Sequence, residues 1–212
     1  ICNHDTGETL ESNINSFIER KNGEIWVSGN VLCKLDIKDH LLTVRKVDIA
    51  VTSPGSLFED KKQNVWMAKG EEGVYQLTPD NQLTLHLSKD NGYVKSICED
   101  QRGNIYVGSI RKGLFIYEKE RKTFVPVDLK EKGELPVCFL YSGIPNELYI
   151  GTDGKGVAIY NIRTHEISEY KFDNNYFDSG NSKIHSILKD NSGNLWLAVY
   201  QKGVILIPAR TN

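Results

Sequence analysis

The chain has 212 residues, 26 Lys and Arg against 28 Asp and Glu, a formal net charge of −2 and 39% hydrophobic residues. That balance excludes a disordered polyelectrolyte and a nucleic-acid binder resting on a large positive field. With 18 Gly, 10 Tyr, 7 Phe and 3 Trp against 1 Met, the composition suits many short strands joined by tight turns.

The longest apolar run, Val204 to Ala209, falls far short of the ~18–20 residues a bilayer span requires. Ile1 opens directly into the polar stretch Cys2 to Glu8, so no signal peptide is expected, and the absent initiator Met suggests a mature form or an excised piece. Cys2, Cys33, Cys98 and Cys138 form no CxxC pair and fit no zinc template. The pairing of four cysteines is not fixed by sequence. Three of them fall at strand positions that aliphatic or small residues fill elsewhere, so thiols rather than disulfides are expected. His4, His40, His86, His165 and His185 are scattered, and no zinc-protease, hydrolase-elbow, dinucleotide or Walker motif occurs. No metal and no cofactor is expected.

One pattern recurs along the chain: Ser, two apolar residues, an acidic position, a turn, then apolar, aromatic, apolar, small. It first runs from Ser16-Phe17-Ile18-Glu19 to Gly23-Glu24-Ile25-Trp26-Val27-Ser28. It returns as Ser56-Leu57-Phe58-Glu59-Asp60 before Asn64-Val65-Trp66-Met67-Ala68. Next comes Ser96-Ile97-Cys98-Glu99-Asp100 before Gly103-Asn104-Ile105-Tyr106-Val107-Gly108. A weaker copy has Cys138 in place of Ser and leads to Asn146-Glu147-Leu148-Tyr149-Ile150-Gly151. The last is Ser186-Ile187-Leu188-Lys189-Asp190 before Gly193-Asn194-Leu195-Trp196-Leu197-Ala198. Gly73, Gly113, Gly156 and Gly203 each open a third apolar run, and Val31 to Leu35 is its counterpart in the first copy. A fourth segment closes the units at Leu41 to Val47, Leu83 to Leu87, Thr123 to Val127 and Ile167 to Phe172.

Each unit of ~40 residues therefore holds four short strands, the signature of a β-propeller blade. The predicted fold is all-β, a single propeller region over residues 1–212, with blade repeats beginning near 16, 56, 96, 138 and 186. Asp-x-x-Gly-Asn in the first hairpin calls for a type I turn followed by a residue at positive φ. Trp26, Trp66, Tyr106, Tyr149 and Trp196 are expected to pack between blades, in preference to stacking on carbohydrate. Residues 1–5 are placed to supply the missing outer strand of the last blade and close a five-bladed ring. The other reading is an arc cut from a larger ring, with two apolar blade faces exposed.

The repeat resembles the two-component regulator propeller repeat. Asp100, Gly103, Asn104, Tyr106 and Gly108 carry the likeness, as do Asp190, Gly193, Asn194 and Trp196. Asn146, Leu148, Tyr149, Ile150, Gly151, Thr152 and Gly156 carry it in the fourth copy. The resemblance implies the extracytoplasmic sensor half of a hybrid histidine kinase, mainly of gut Bacteroidetes. Such repeats usually form seven-bladed propellers followed by another sensor module, a membrane helix and kinase domains. It further implies a periplasmic location, breakdown products of polysaccharides as ligands, and other blades, sensor domains or a second copy as partners. Neither a nucleic acid nor a membrane contact is implied for this region.

The loops joining second to third strands, and those between blades, share one propeller face, and they differ from blade to blade where strands do not. Arg111, Asp153, Tyr200, Gln201, Tyr93 and Lys69 are the candidate ligand-binding residues there. The set offers planar hydrogen-bonding groups and aromatic faces, the types that hold sugars; the competing reading is solvated turn residues. Residues 174–183 form a long insert that reads either as a binding loop or as plain surface loop. His185 reads as structural. The recurring Asp60, Asp100 and Asp190 lie in the opposite hairpins, where they form turns. No catalytic residue is assigned, and no enzymatic activity is expected of this region. A propeller lyase or glycoside hydrolase, and a protein-binding scaffold, are the alternatives.

Overall fold

The computed structural model describes residues 13–38, 41–87, 90–129, 135–172 and 180–209. Every regular element among them is a strand. The strands form five antiparallel sheets, each with its strands neighbouring in sequence order, so the fold is the expected all-β assembly of propeller blades. The chain divides into two compact units, Ile1–Lys89 and Asp90–Asn212.

The first unit holds two blades. One is β1 (Ser16–Glu19), β2 (Ile25–Ser28), β3 (Leu32–Lys38) and β4 (Leu41–Lys46). The other is β5 (Leu57–Glu59), β6 (Val65–Lys69), β7 (Gly73–Leu77) and β8 (Leu83–His86). Trp26 and Leu32 of one blade pack with Leu57, Val65, Met67 and Leu77 of the other. Polar contacts tie the same pair. Ser16 Oγ accepts from Leu57 N–H at 3.2 Å, and Ser28 Oγ donates to Gly55 O at 2.6 Å. Arg20 Nε lies 2.9 Å from Glu59 Oε1.

The second unit begins with β9 (Val94–Glu99), β10 (Ile105–Ser109), β11 (Gly113–Glu118) and β12 (Thr123–Pro126). Next come β13 (Val137–Ile144), β14 (Glu147–Thr152), β15 (Val157–Asn161) and β16 (Ile167–Glu169). The last sheet has three described strands, β17 (Ile184–Lys189), β18 (Leu195–Val199) and β19 (Gly203–Ile207). Cys98, Tyr106 and Leu114 pack against Val137, Leu140 and Ile150 of the next blade. Tyr149 and Val157 pack in turn against Ile184, Ile187 and Leu197. Ser96 Oγ accepts from Leu140 N–H at 3.0 Å, the counterpart of the Ser16 bond in the first unit. The repeating serine is thus an inter-blade acceptor. Small residues opposite it admit the neighbour: a Cβ on Gly108 would sit 2.3 Å from Val137 Cγ1.

Three of the first hairpins follow one hydrogen-bonding plan. Asp60 Oδ1 accepts from Lys62 and Asn64 N–H, while Oδ2 accepts from Asn64 Nδ2 and Trp66 Nε1, all at 2.8–2.9 Å. Asp190 makes the same four bonds to Ser192, Asn194 and Trp196. Asp100 bonds Arg102 and Asn104 likewise. The residue before the Asn takes positive φ, 79° at Gly103, 87° at Gly193 and 66° at Gln63.

The structure departs from the sequence reading in three places. The outer strands β8, β12 and β16 stop one to three residues short of the expected ends, at His86, Pro126 and Glu169. In the weak fourth repeat a bulge pairs Phe139, not Cys138, with Gly151, so Phe139 occupies the place of the serine. Trp196 is exposed rather than packed between blades, since it lies on the outer face of the last sheet. Residues 1–5 and most of the insert lie outside the described residues.

Candidate ligand-binding face

In the second unit, each segment entering a first strand is fastened to the hairpin between its blade's second and third strands. Ile110 N–H donates to Tyr93 O and Arg111 N–H to Gly92 O, both at 3.0 Å. Asp153 N–H donates to Pro136 O at 2.8 Å and Tyr200 N–H to Lys183 O at 3.0 Å. These bonds extend the ladder between first and second strands beyond the sheet and bring the two loop sets to one end of each blade.

A bulge interrupts that ladder at the same place three times. Val94 pairs with Ser109 and Ser96 with Gly108, which leaves Lys95 as the extra residue. The pairs Val137–Thr152 and Phe139–Gly151 leave Cys138. The pairs Ile184–Val199 and Ser186–Ala198 leave His185. A bulge re-aims its extra side chain and is a common device beside binding sites. Lys95 and His185 are exposed, whereas Cys138 is buried. Burial pushes the Cys138 thiol up, Asp153 adds to the rise, and Lys183 and Lys95 oppose it. The three bulge residues were not among the sequence candidates. Their readable signal is position: Lys95 and His185 each precede the repeating serine.

Around this row stand several of the expected residues. Lys183 Nζ lies 2.8 Å from Asp153 Oδ2, joining the last blade to the one before it. That bond raises the Lys183 pKa. The Tyr200 ring lies 5.6 Å from the His185 ring at an interplanar angle of 55°. Tyr200 and Tyr93 are exposed large side chains. Tyr93 is held at φ 78°, a conformation that a bulky side chain adopts only when its surroundings enforce it. Gln201 sits at φ 56° in the β18–β19 turn and is exposed. Main-chain bonds thus bring the Gly92–Tyr93 and Ile110–Arg111 segments together in one blade, and Lys183 links Asp153 through its ammonium and Tyr200 through its carbonyl, with Gln201 next in the turn. Lys69 belongs to the first unit, where its Nζ contacts Glu72 Oε1 at 2.8 Å and Thr52 Oγ1 at 3.3 Å.

This end of the second unit carries both signs of charge. Arg111, Lys112, Lys155 and Lys202 come from the hairpins, Lys95 from β9 and Lys183 from the segment before β17. Asp153 is ion-paired with Lys183, Glu169 lines a cavity with Lys155, and Asp90 and Asp128 lie in the segments between blades. At the opposite end, Asp100 and Asp190 are held in turn hydrogen bonds.

The first unit has a cavity of about 300 Å³ lined by Arg20, Glu24, Trp26, Lys34, Gln63 and Asn81. Its charges answer one another. Glu24 contacts Lys34 at 2.9 Å and accepts from Trp26 Nε1 at 3.0 Å, and Arg20 lies over the Trp26 ring at 4.5 Å. The Lys34 hydrogen bond leads in holding the Glu24 carboxyl down at about 2. This arrangement braces Trp26 and is a structural clasp. Among the described residues no group of His, Cys, Asp and Glu is placed to hold a metal ion. Cys33, Cys98 and Cys138 are buried thiols, and burial pushes Cys98 up to about 12.

The family model described as "Two component regulator propeller" matches residues 88–111 and 178–201, the segments that build β9–β10 and β17–β18. No curated protein matches the chain. An extracellular domain of a hybrid two component system from B. thetaiotaomicron aligns with 96% of this chain and 28% of its own, at 20% identity and TM-score 0.69. A second such domain from the same organism aligns over 94% of this chain and 34% of its own, at 14% identity and TM-score 0.62. Virginiamycin B lyase from Staphylococcus aureus aligns over 93% and 70%, at 15% identity and TM-score 0.69. At these identities the structural likeness establishes the fold. The chain spans about a third of the two-component domains. Among the described residues no helix is long and apolar enough to cross a membrane.

Proposed function

We propose that this chain, which carries the two component regulator propeller repeat at residues 88–111 and 178–201, is a ligand-sensing propeller region of an extracytoplasmic two-component sensor. The observation behind this reading is the row of bulges that sets Lys95, Cys138 and His185 beside the Lys183–Asp153 pair and the exposed ring of Tyr200. A sugar needs an aromatic face and fixed hydrogen-bonding groups, and this end of the second unit offers both. Its exposed Lys95, Arg111, Lys155 and Lys202 favour a saccharide that carries carboxylates. The ligand is then an oligosaccharide released from an acidic polysaccharide, met in the periplasm. The kinase activity belongs to other domains, and a second copy of the chain and further sensor domains are the partners.

Calorimetric titration of the full chain with neutral and uronate oligosaccharides tests this. Binding of an oligosaccharide, weakened tenfold or more by Tyr200→Ala with cooperative unfolding intact, is the expected result. No heat from either class, on protein that unfolds cooperatively, overturns it.

The lyase reading keeps one supporting observation, the His185–Tyr200 ring pair at this end of the unit. Accumulation of unsaturated sugar product in a long incubation, lost in His185→Ala, would favour it over sensing.

A further inference from the structure

The cavity of the first unit, about 300 Å³, is lined by residues of both its blades. It stands at the lower end of the range for small-molecule sites, roughly 300–1,000 Å³. Its floor is apolar, with Val65 and Leu77 buried and Val47 half-buried. Trp26, the aromatic residue of the lining, is 2% exposed, and its ring lies under Arg20 at 4.5 Å and Lys34 at 5.1 Å. One wall is the Glu24–Lys34 ion pair, 2.9 Å apart, with side chains 36% and 40% exposed. Bracing Trp26 does not exhaust this pair. Lys34 Nζ carries three N–H groups and gives one to Glu24 Oε1, while Glu24 Oε2 takes the Trp26 indole. Gln63 and Asn81 are exposed members of the lining, and their carboxamides make no hydrogen bond among the described residues.

Gln63 is the residue that the fold explains least. Gly23, Gly103 and Gly193 hold its position in three other blades at φ 83°, 79° and 87°. Gln63 takes φ 66° there, a conformation that costs a side chain energy and a glycine none. Its N–H donates to Asp60 O and its carbonyl accepts from Arg20, bonds that a glycine makes equally well. Its side chain serves the cavity and no other described contact. Strain kept without a structural return is the mark of a functional position.

From the cavity, its ion pair and this strained residue we infer that the first unit binds a free α-amino acid with an aliphatic side chain. Arg20 and Lys34 are already answered by Glu24 and Glu59. A ligand of net charge therefore finds no counter-charge here, whereas a zwitterion brings its own. Its ammonium sets against the Glu24 carboxylate and its carboxylate against the Lys34 ammonium, so that four charges alternate in sign. Gln63 and Asn81 offer amide N–H groups to the ligand carboxylate. The aliphatic side chain covers Val47, Val65 and Leu77. A sugar calls for an open aromatic face, which Trp26 does not present. This site shares no residue with the candidate face of the second unit and does not rest on the saccharide reading.

Titration of the full chain with L-leucine, followed by calorimetry and by proton–nitrogen NMR spectra, tests this. Isoamylamine and isocaproate, each the leucine skeleton with one charge removed, and D-glucose are the comparison probes. L-leucine should give saturable shifts at the Trp26 indole N–H and the Gln63 side-chain amide, the two signals being assigned with Trp26→Phe and Gln63→Gly. Isoamylamine and isocaproate should each bind at least tenfold more weakly, and Lys34→Met should weaken leucine binding tenfold or more. Gln63→Gly should weaken it at least threefold while raising the urea midpoint, so that the loss is not one of folding. Tyr200→Ala should leave it unchanged, which separates this site from the one proposed in the second unit. If leucine, isoleucine and valine all leave both signals in place on protein that unfolds cooperatively, the inference is overturned. Binding of D-glucose or of either singly charged analogue as tight as that of leucine overturns it too. So does an affinity for leucine that Gln63→Gly does not change.

Discussion

Gln63 does in the second blade what Gly103 and Gly193 do in later ones, and it does so against its own stereochemistry. All three precede the turn Asn and take positive φ, but a side chain at φ 66° crowds its own backbone. Gln63→Gly should therefore raise stability by about 0.5–1 kcal/mol, measured by urea unfolding at fixed slope. Gly103→Ala in the same assay should go the other way by about 1 kcal/mol. This turn was legible in sequence because Asp, Gly and Asn are turn-formers for local reasons. Its second role was not. The Trp66 and Trp196 indoles donate to Asp60 and Asp190 across six positions, a bond that depends on how the rotamer of the repeat's aromatic meets the turn. Sequence periodicity assigns such an aromatic to the core and is silent on where its N–H goes.

The strands were read from alternation and turn residues, and their order held because each sheet is a simple meander. The bulges were not read, since an extra residue in a strand looks like a shift of the repeat. Cys138 seemed to replace the serine, while the ladder gives that place to Phe139. The repeat carries no signal at Lys95 and makes His185 structural, although bulging singles out both. Close approach between blades rests on equally local facts. Gly108→Ala puts a methyl against Val137 Cγ1 and should cost about 1–3 kcal/mol. Val137→Ala makes room, so the double variant should be more stable than additivity predicts by about 1 kcal/mol, as read from a thermodynamic cycle by chemical denaturation. Additive costs would show that the sheets separate freely at this point.

For the whole molecule, ionisation sets a working range. The Glu24 carboxyl lies near 2 in the folded protein against 4.5 ordinarily, so its contribution is complete above pH 4.5 and is lost as pH falls through about 2. Asp190 is held down too, through Trp196 and Asn194, and acts in the same direction. Lys183 is raised by Asp153, so its contribution is complete below 10.5 and is lost at still higher pH. Stability should therefore decline below pH 4.5 and again above pH 10.5. Glu24→Gln should flatten the acid limb by less than about 1 kcal/mol, since the pair is partly solvated, as followed by thermal unfolding at stepped pH. Five blades were countable from five copies of the repeat, whereas the Lys and Arg of the loops were visible only as scattered residues. Their gathering around bulged strands required the register. The turn motif itself has a kinetic consequence. Each acid closes its hairpin through bonds that span two to six residues, so little chain entropy is lost before they form. The three first hairpins built on Asp60, Asp100 and Asp190 can therefore each serve as a nucleus, with stacking of blades as the later, slower event. Folding from many starting points would leave no single hairpin in control of the rate, and an added or removed blade would change the final stability far more than the speed of reaching it.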